Sequence, residues 1–456
     1  MCPRGRMSNP SIVLDIRALA RLSTPIIISL AASMLIGVVD TIMIAPLGTV
    51  ALAAASITVS IQVIFFACLY GFVSGTSVRM SETFGAGDVR GLSEATLTGL
   101  VIGGGAGALG MGLMLALRPG LAWLGQPPEV LDALSGGYWQ AMAVLLVPFT
   151  LFYMLKGLFD AVGAPWLGVS VAFGAVALNV PANWLLIYGI GGWDGLGLSG
   201  AAYASLLSQS ASLGVAWALW RYGPAFASAR RVVTLTRSEV LHQLRAGGMI
   251  ATGYFSEGAV YACVGLMVGW FGAGALAANQ IVNSVATVLY MVPLGISIAV
   301  SIVVGQALGA GQDHRIRGIG VAALSLSVGW MVTVMLGLLI LAGPIAGALS
   351  ADPAVVALAT TLFWIIAATQ IADGIQGTML GAARGMTDNS VPVAATLLGN
   401  WGVALPLAYG LGVFLGWGPK GIWIGYGLGL AFAAILVSWR FFWKVKRLTP
   451  APNAPT

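Results

Sequence analysis

Charge is what this sequence has least of. Only 8% of its 456 residues are Asp, Glu, Lys or Arg, against about 25% in a soluble domain. That shortage excludes an ordinary water-soluble globule. It also removes a nucleic-acid reading of the net charge of +6, which in a membrane protein reflects topology. Cysteine is scarce too: Cys2 falls in the N-terminal tail, and Cys68 and Cys263 fall in apolar segments. A disulfide framework is therefore not expected. The two histidines, His242 and His314, stand in polar connections, so no His/Cys set exists for a transition metal. Met1 to Pro10 has no apolar core, so no cleavable signal peptide is expected there. The apolar runs carry no His-Glu-x-x-His, Asp-Asp-x-x-Asp or Ser/His arrangement, which argues against an intramembrane enzyme. They carry no repeated filter sequence either, which argues against a channel.

What is present is apolar sequence. Hydrophobic residues make up 58% of the chain, and twelve segments are long enough to cross a bilayer core of ~30 Å. The spacing places them near 23–46, 51–78, 94–117, 134–155, 166–190, 197–220, 247–270, 275–304, 318–347, 354–383, 390–415 and 419–444. In lipid such runs must be helical, because no water is there to satisfy a backbone left open. The 63 glycines suit close helix packing. Pro148, Pro181, Pro293 and Pro406 fall inside spans and predict bends. The fold class is an all-α polytopic membrane protein.

The basic residues set its orientation. If both ends share one side, that side receives 19 of the 21 Lys and Arg, and the other receives only Arg118 and Lys420. The positive-inside rule then puts both termini in the cytoplasm. The chain also repeats. Gly48 to Ala54 resembles Gly272 to Ala278, and Phe84-Gly85-Ala86-Gly87 resembles Leu308-Gly309-Ala310-Gly311, both at an offset of 224. Asn179 and Tyr188-Gly189 match Asn400 and Tyr409-Gly410 at 221. Two pseudo-symmetric six-helix halves follow, residues 1–235 and 236–456, joined by the basic stretch 221–246. An even number of helices per half keeps the repeats parallel, and substrate sites in such folds lie near the midplane.

Three acids stand alone in this apolar background. Glu257 is the single charged residue between Arg245 and Asp313, Asp40 between Arg21 and Arg79, and Asp373 between Asp352 and Arg384. Each costs roughly 2.5–3.5 kcal/mol at a helix centre. The repeat does not explain them: Glu257 aligns with Ser33, and Asp40 with Val264. Tyr254 and Tyr261 share a helical face with Glu257, Thr369 and Gln376 share one with Asp373, and Asn179 shares one with Asn183. Oxygen-rich sites of this kind suit a proton or a hard monovalent cation. The bland reading of each acid is a structural hydrogen-bonding group; Gln280 can equally be a helix tie.

With these features placed, the chain resembles the multidrug and toxin extrusion (MATE) transporters. The resemblance covers nearly all of it. It rests on Val39-Asp40-Thr41, Phe84-Gly85-Ala86-Gly87-Asp88, Asn179 through Gly189, Gly200 through Ser205, Asn279-Gln280-Ile281 and Gln370-Ile371-Ala372-Asp373. Acids in helices 7 and 10 look like the NorM-type branch, where they are implicated in binding the coupling Na⁺ or H⁺. The resemblance therefore implies a cation-coupling set of Glu257, Asp373, Thr369 and Gln280, with Glu257 and Asp373 the candidate Na⁺ ligands. A tyrosine found four residues before the helix 10 acid in some relatives is Thr369 here. The DinF-type branch uses a helix 1 acid in a polar cluster. The matching positions are Asp40, Asn179, Asn183, Ser205 and Tyr138, a set for substrate contact or proton relay, with Asn183 standing where that branch has an acid.

The expected function is secondary antiport by alternating access: small organic cations or drugs leave in exchange for H⁺ or Na⁺, with no cofactor beyond the coupling ion. Met34, Met43, Phe65, Phe66, Tyr138, Phe149 and Tyr153 are candidates for an adaptable apolar wall. The expected setting is a bacterial inner membrane, with the lipid bilayer as partner, no nucleic acid, and a monomer. The alternatives are export of an endogenous metabolite or a flippase for a lipid-linked precursor. A flippase would want a basic cavity, whereas every Lys and Arg can be placed in a tail, a connection or a span end.

Overall fold

The computed structural model describes residues 12–124, 127–231 and 234–448. The expectations for Met1 to Pro10 and for Cys2 lie outside the described residues. Cys68 and Cys263 are free thiols.

Among the described residues twelve long helices follow one another: α1 Ile12–Ile44, α2 Thr49–Gly85, α3 Val89–Leu117, α4 Tyr138–Ala161, α5 Pro165–Tyr188, α6 Leu198–Tyr222, α7 Arg237–Gly269, α8 Ala273–Gly309, α9 Asp313–Leu349, α10 Pro353–Gly385, α11 Ser390–Phe414 and α12 Pro419–Leu448. Ten of these twelve are apolar enough over their length to cross a membrane. The exceptions have a clear chemical cause. α6 carries five serines, and the apolar part of α7 is interrupted by Tyr254, Ser256, Glu257, Tyr261 and several glycines.

Local chemistry explains the helix ends. The Asp88 carboxylate accepts from Gly91 N at 2.9 Å and starts α3; the Asp352 carboxylate accepts from Ala354 N at 2.9 Å and starts α10. Both are N-caps that satisfy otherwise open backbone donors. Two pairs of the repeated motifs bracket turns between helices. Gly48 and Gly272 have φ of 103° and 99°, and Gly87 and Gly311 have 68° and 66°. These left-handed positions favour glycine, so the same residue recurs at the same place in each half.

Prolines act where the backbone allows. α4 breaks at Leu145, just before Pro148. α11 widens into two π-helical stretches, Leu398–Ala404 and Gly410–Phe414, on either side of Pro406. A proline has no N–H to donate and crowds the preceding turn, and a widened turn is one response. Pro181 and Pro293 lie within helices as expected; Pro25 and Pro344 do as well.

The chain compacts into two units. One comprises Ile28–Ala251; the other comprises Thr252 onward together with the chain up to Ile27. The cuts fall inside α1 and α7, whereas the repeat boundary falls in the connection before α7. In the first unit, α2, α3 and α4 pack together, and α5 packs on α6. Trp139 is fully buried there and donates from Nε1 to Met114 O at 3.0 Å. The first turns of α7 belong to this unit. A Cβ on Gly75 would lie 2.9 Å from Gly247 N, so small residues let these two backbones meet. In the second unit, α10 is the hub, touching α8, α9 and α12. Gly381 lies against Ser297 and Gly385 against Ser301, an offset of 84 in both.

One basic residue departs from its expected place. Lys156 is buried within α4, where it donates to Asp160 Oδ2 at 2.8 Å. A carboxylate one turn away compensates the ammonium, so a lysine that reads as part of a connection sits in the packed interior.

Candidate functional site

Each unit contains a polar cluster built around an acid. In the unit Ile28–Ala251 the centre is Asp40 on α1. Asn183 Nδ2 donates to Asp40 Oδ1 at 2.6 Å, and Ser205 Oγ donates to Asp40 Oδ2 at 2.6 Å. Asn183 Nδ2 also donates to Asn179 Oδ1 at 3.0 Å, and Asn179 Nδ2 donates to Ser205 Oγ at 3.3 Å. The one-turn spacing of Asn179 and Asn183 on α5 makes the first of these contacts possible. Tyr138, buried at the start of α4, lies within electrostatic reach of Asp40. The structure thus gathers Asp40, Asn179, Asn183, Ser205 and Tyr138 in one place.

A cavity of about 190 Å³ opens beside this cluster, lined by Asp40, Ser205, Gln209, Phe66, Phe149 and Tyr153 among others. Phe66 and Phe149 stack with ring centroids 4.1 Å apart, and Phe149 meets Tyr153 at 4.6 Å. Ser33 also lines it, with its hydroxyl 2.8 Å from that of Tyr153. Met43 and Phe65 pack against the apolar core of the unit instead, and Met34 is exposed.

In the other unit the centre is Glu257 on α7 with Asp373 on α10. Gln376, one turn beyond Asp373 and buried, donates from Nε2 to Glu257 Oε1 at 3.2 Å. Glu257 and Asp373 lie within electrostatic reach of each other, and Tyr290 of α8 and Tyr426 of α12 within reach of both. Tyr261 lies within reach of Asp373 and packs edge-on against Trp423 and Tyr426, at 6.0 and 6.2 Å between centroids. Arg384 donates from Nη1 to the Tyr254 hydroxyl at 2.7 Å. Among the described residues, neither Glu257 nor Asp373 forms a salt bridge. Such acids, ringed by phenols and an amide, have oxygen ligands to share with a hard cation, or a place to keep a proton.

Two candidates fall differently. Thr369 lies against Gly427 and donates its hydroxyl to Ile366 O at 3.0 Å, so it packs α10 onto α12. Gln280 is exposed. By the offset of 84 between α8 and α10 it stands level with residue 364, about two and a half turns from Asp373. The inward polar neighbour is Asn279, whose Oδ1 accepts from Trp423 Nε1 at 2.9 Å. The structure does not bring Gln280 to the acid pair.

The comparisons with known proteins agree with this architecture. A sequence model of the MatE family matches residues 25–185 and again 250–410. The chain belongs to the MATE family. The two matched stretches are offset by 225 residues, close to the 224 and 221 of the repeated motifs. The multidrug resistance protein NorM of Burkholderia vietnamiensis is 32% identical over 95% of both chains. A probable multidrug resistance protein NorM of Pseudomonas aeruginosa is 33% identical over 98% of this chain and 93% of its own. The crystal structure of the Vibrio cholerae MATE transporter VcmN in its bent form superposes with a TM-score of 0.86 at 22% identity, covering 96% of this chain and 98% of that one. As a MATE protein the chain is a multi-pass membrane transporter and not an enzyme.

Four members of the two clusters escape a reading of the sequence. Tyr290 and Tyr426 are single phenols in apolar helices, and their only signal is that a tyrosine in lipid wants a polar partner. Gln209 stands between Ser208 and Ser210 on α6, where it reads as one more polar residue of a serine-rich helix. Arg384 reads as the start of a connection yet belongs to the last turn of α10.

Proposed function

We propose that this MATE protein is a secondary multidrug efflux antiporter, exporting organic, mainly cationic, compounds in exchange for H⁺ or Na⁺. NorM-named relatives at about a third identity over nearly the whole chain support the drug cargo. The observation that carries the coupling is the meeting of Glu257 and Asp373 in one compact unit without a salt-bridge partner among the described residues. Two neighbouring carboxylates in a membrane are costly as charged groups, and a bound H⁺ or Na⁺ relieves that cost. Drug release to the outside is thereby linked to ion entry, and each elementary charge crossing the membrane contributes ~2.3 kcal/mol per 100 mV.

The Asp40 cluster is the proposed cargo-facing or proton-relaying set. Its cavity joins one acid to an aromatic wall, and such a combination favours flat organic cations. Both termini lie in the cytoplasm on the charge count, the setting is a bacterial inner membrane, and the transporting unit is a monomer.

Efflux of a fluorescent organic cation from cells tests this reading. Glu257→Gln and Asp373→Asn are each expected to reduce gradient-driven export to background while the protein stays in the membrane. Asp40→Asn is expected to raise the half-saturating concentration of cationic drugs several-fold and to leave uncharged cargo less affected. Wild-type export by both C-terminal variants would reject the coupling role.

A further inference from the structure

Arg384 has no part in the mechanism above, yet its position is unusual. It lies eleven residues after Asp373 on α10, which at 100° per residue returns it to nearly the same face. Its guanidinium donates to the Tyr254 hydroxyl at 2.7 Å and lies over the Tyr254 ring, 4.8 Å from the centroid. Tyr254 is one turn before Glu257 on α7. A basic side chain is thus held by two contacts, one a hydrogen bond and one a cation–π contact, next to the residue that neighbours the coupling acid. Among the described residues Arg384 is the one cation within electrostatic reach of Glu257, and it also reaches Tyr290. The other titratable groups in this neighbourhood are Asp373, Tyr254, Tyr261, Tyr290 and Tyr426.

We propose that Arg384 is a positioning residue for ion exchange: a tethered counter-charge that weakens the hold of Glu257 on the coupling ion enough for the ion to leave. The proposal rests on the coupling role given to those acids above. A fixed positive charge near a carboxylate favours its empty, ionised form over the form carrying H⁺ or Na⁺. Without it the empty site would be two like charges in a poorly polar setting, and the ion would bind tightly and exchange slowly. Tyr254 keeps the guanidinium from collapsing onto Glu257, because the phenol oxygen and ring occupy it.

The test is ion dependence of drug efflux in proteoliposomes containing the full chain, with H⁺ and Na⁺ varied separately. Arg384→Gln is expected to bind the ion more tightly: the half-saturating ion concentration falls on the order of tenfold, maximal turnover falls, and Arg384→Lys restores most of the wild-type dependence. Tyr254→Phe keeps the charge and removes the acceptor, so the guanidinium turns to Glu257 and the half-saturating concentration rises. An unchanged or raised half-saturating concentration in Arg384→Gln overturns the proposal. If that variant does not reach the membrane, Tyr254→Phe decides, and an unchanged or lowered value there overturns it. Glu257→Gln is run in parallel. Loss of ion dependence in that variant with no shift in the others sinks the Arg384 role alone, whereas retained ion dependence sinks the coupling role and this proposal with it.

Discussion

Asp40 and Glu257 are both single acids in apolar helices, but their surroundings differ. Asp40 has a donor on each carboxylate oxygen. Glu257 accepts one hydrogen bond, from Gln376, and Gln376 Oε1 has no hydrogen-bond partner among the described residues. A buried amide oxygen without a partner is uncommon and needs an explanation. A proton on Glu257 or a cation beside it would each supply one. Gln376→Leu is therefore expected to raise the half-saturating ion concentration roughly threefold to tenfold, the worth of one net hydrogen bond, as read from efflux at varied pH and Na⁺. Packing gives a second expectation at this scale. An added Cβ at position 427 would collide with Thr369. Gly427→Ala is expected to lower stability by about 1–3 kcal/mol, the usual cost of overpacking, seen as a lower melting temperature in detergent.

Residues of this kind are unevenly legible in the sequence. Glu257, Asp373 and Asp40 stand out because lipid makes an isolated acid expensive. Asn179, Asn183 and Ser205 follow from helical spacing and from likeness to a family. Gln280 is marked only by position in a motif, and Thr369 by one-turn spacing from Asp373 and by the place of a tyrosine in relatives; neither signal says where a side chain packs. Tyr290 and Tyr426 come from helices distant in sequence, and only the packing of α8 and α12 brings them beside the acids.

At the scale of the helix, the first turns of α1 and α7 are comparable. Asp15 and Glu239 are separated by 224 residues, the repeat offset, and each is paired with an arginine from the other sequence half. Arg315 Nη2 donates to Asp15 at 3.0 Å, and Arg79 Nε donates to Glu239 at 3.1 Å. Gln243 adds a hydrogen bond to Glu239 at 2.9 Å. These contacts explain why the compact units do not end where the repeat does: each repeat's opening turns are ion-paired within the unit built mainly from the other. Glu239 lies before the apolar part of α7. Burial acts to raise its carboxyl, but hydrogen bonds from Arg79 and Gln243 outweigh this and hold it below the ordinary glutamate value of 4.5. A lowered folded value means that the stabilisation is complete above pH 4.5 and is lost as pH falls through the lowered value. Glu239→Gln is expected to lower the melting temperature at pH 7 and to flatten its dependence on pH below 4.5. An unaltered acid limb would contradict the role given to the pair.

Helix number, by contrast, is legible in the sequence, because the hydrophobic thickness of a bilayer fixes the length of each run. The widened turns of α11 are not, since Pro406 announces a disturbance without saying whether the helix kinks, breaks or expands. Lys156 shows the converse limit. Charge counting places lysines in connections, but a lysine with a carboxylate four residues on can be buried, and Asp160 is that partner.

For the whole molecule, one demand stands above the rest: movement of drug and movement of ion must be a single event passing through Glu257 and Asp373. Purified protein in sealed vesicles, loaded with an organic cation and followed with a pH- or Na⁺-sensitive dye, measures both at once. Wild-type vesicles are predicted to take up H⁺ or Na⁺ in fixed proportion to the drug they lose. Glu257→Gln with Asp373→Asn is predicted to abolish both fluxes together. Drug loss at the wild-type rate with no ion counter-movement, or ion exchange that persists in the double variant, would contradict the coupling role of the two acids.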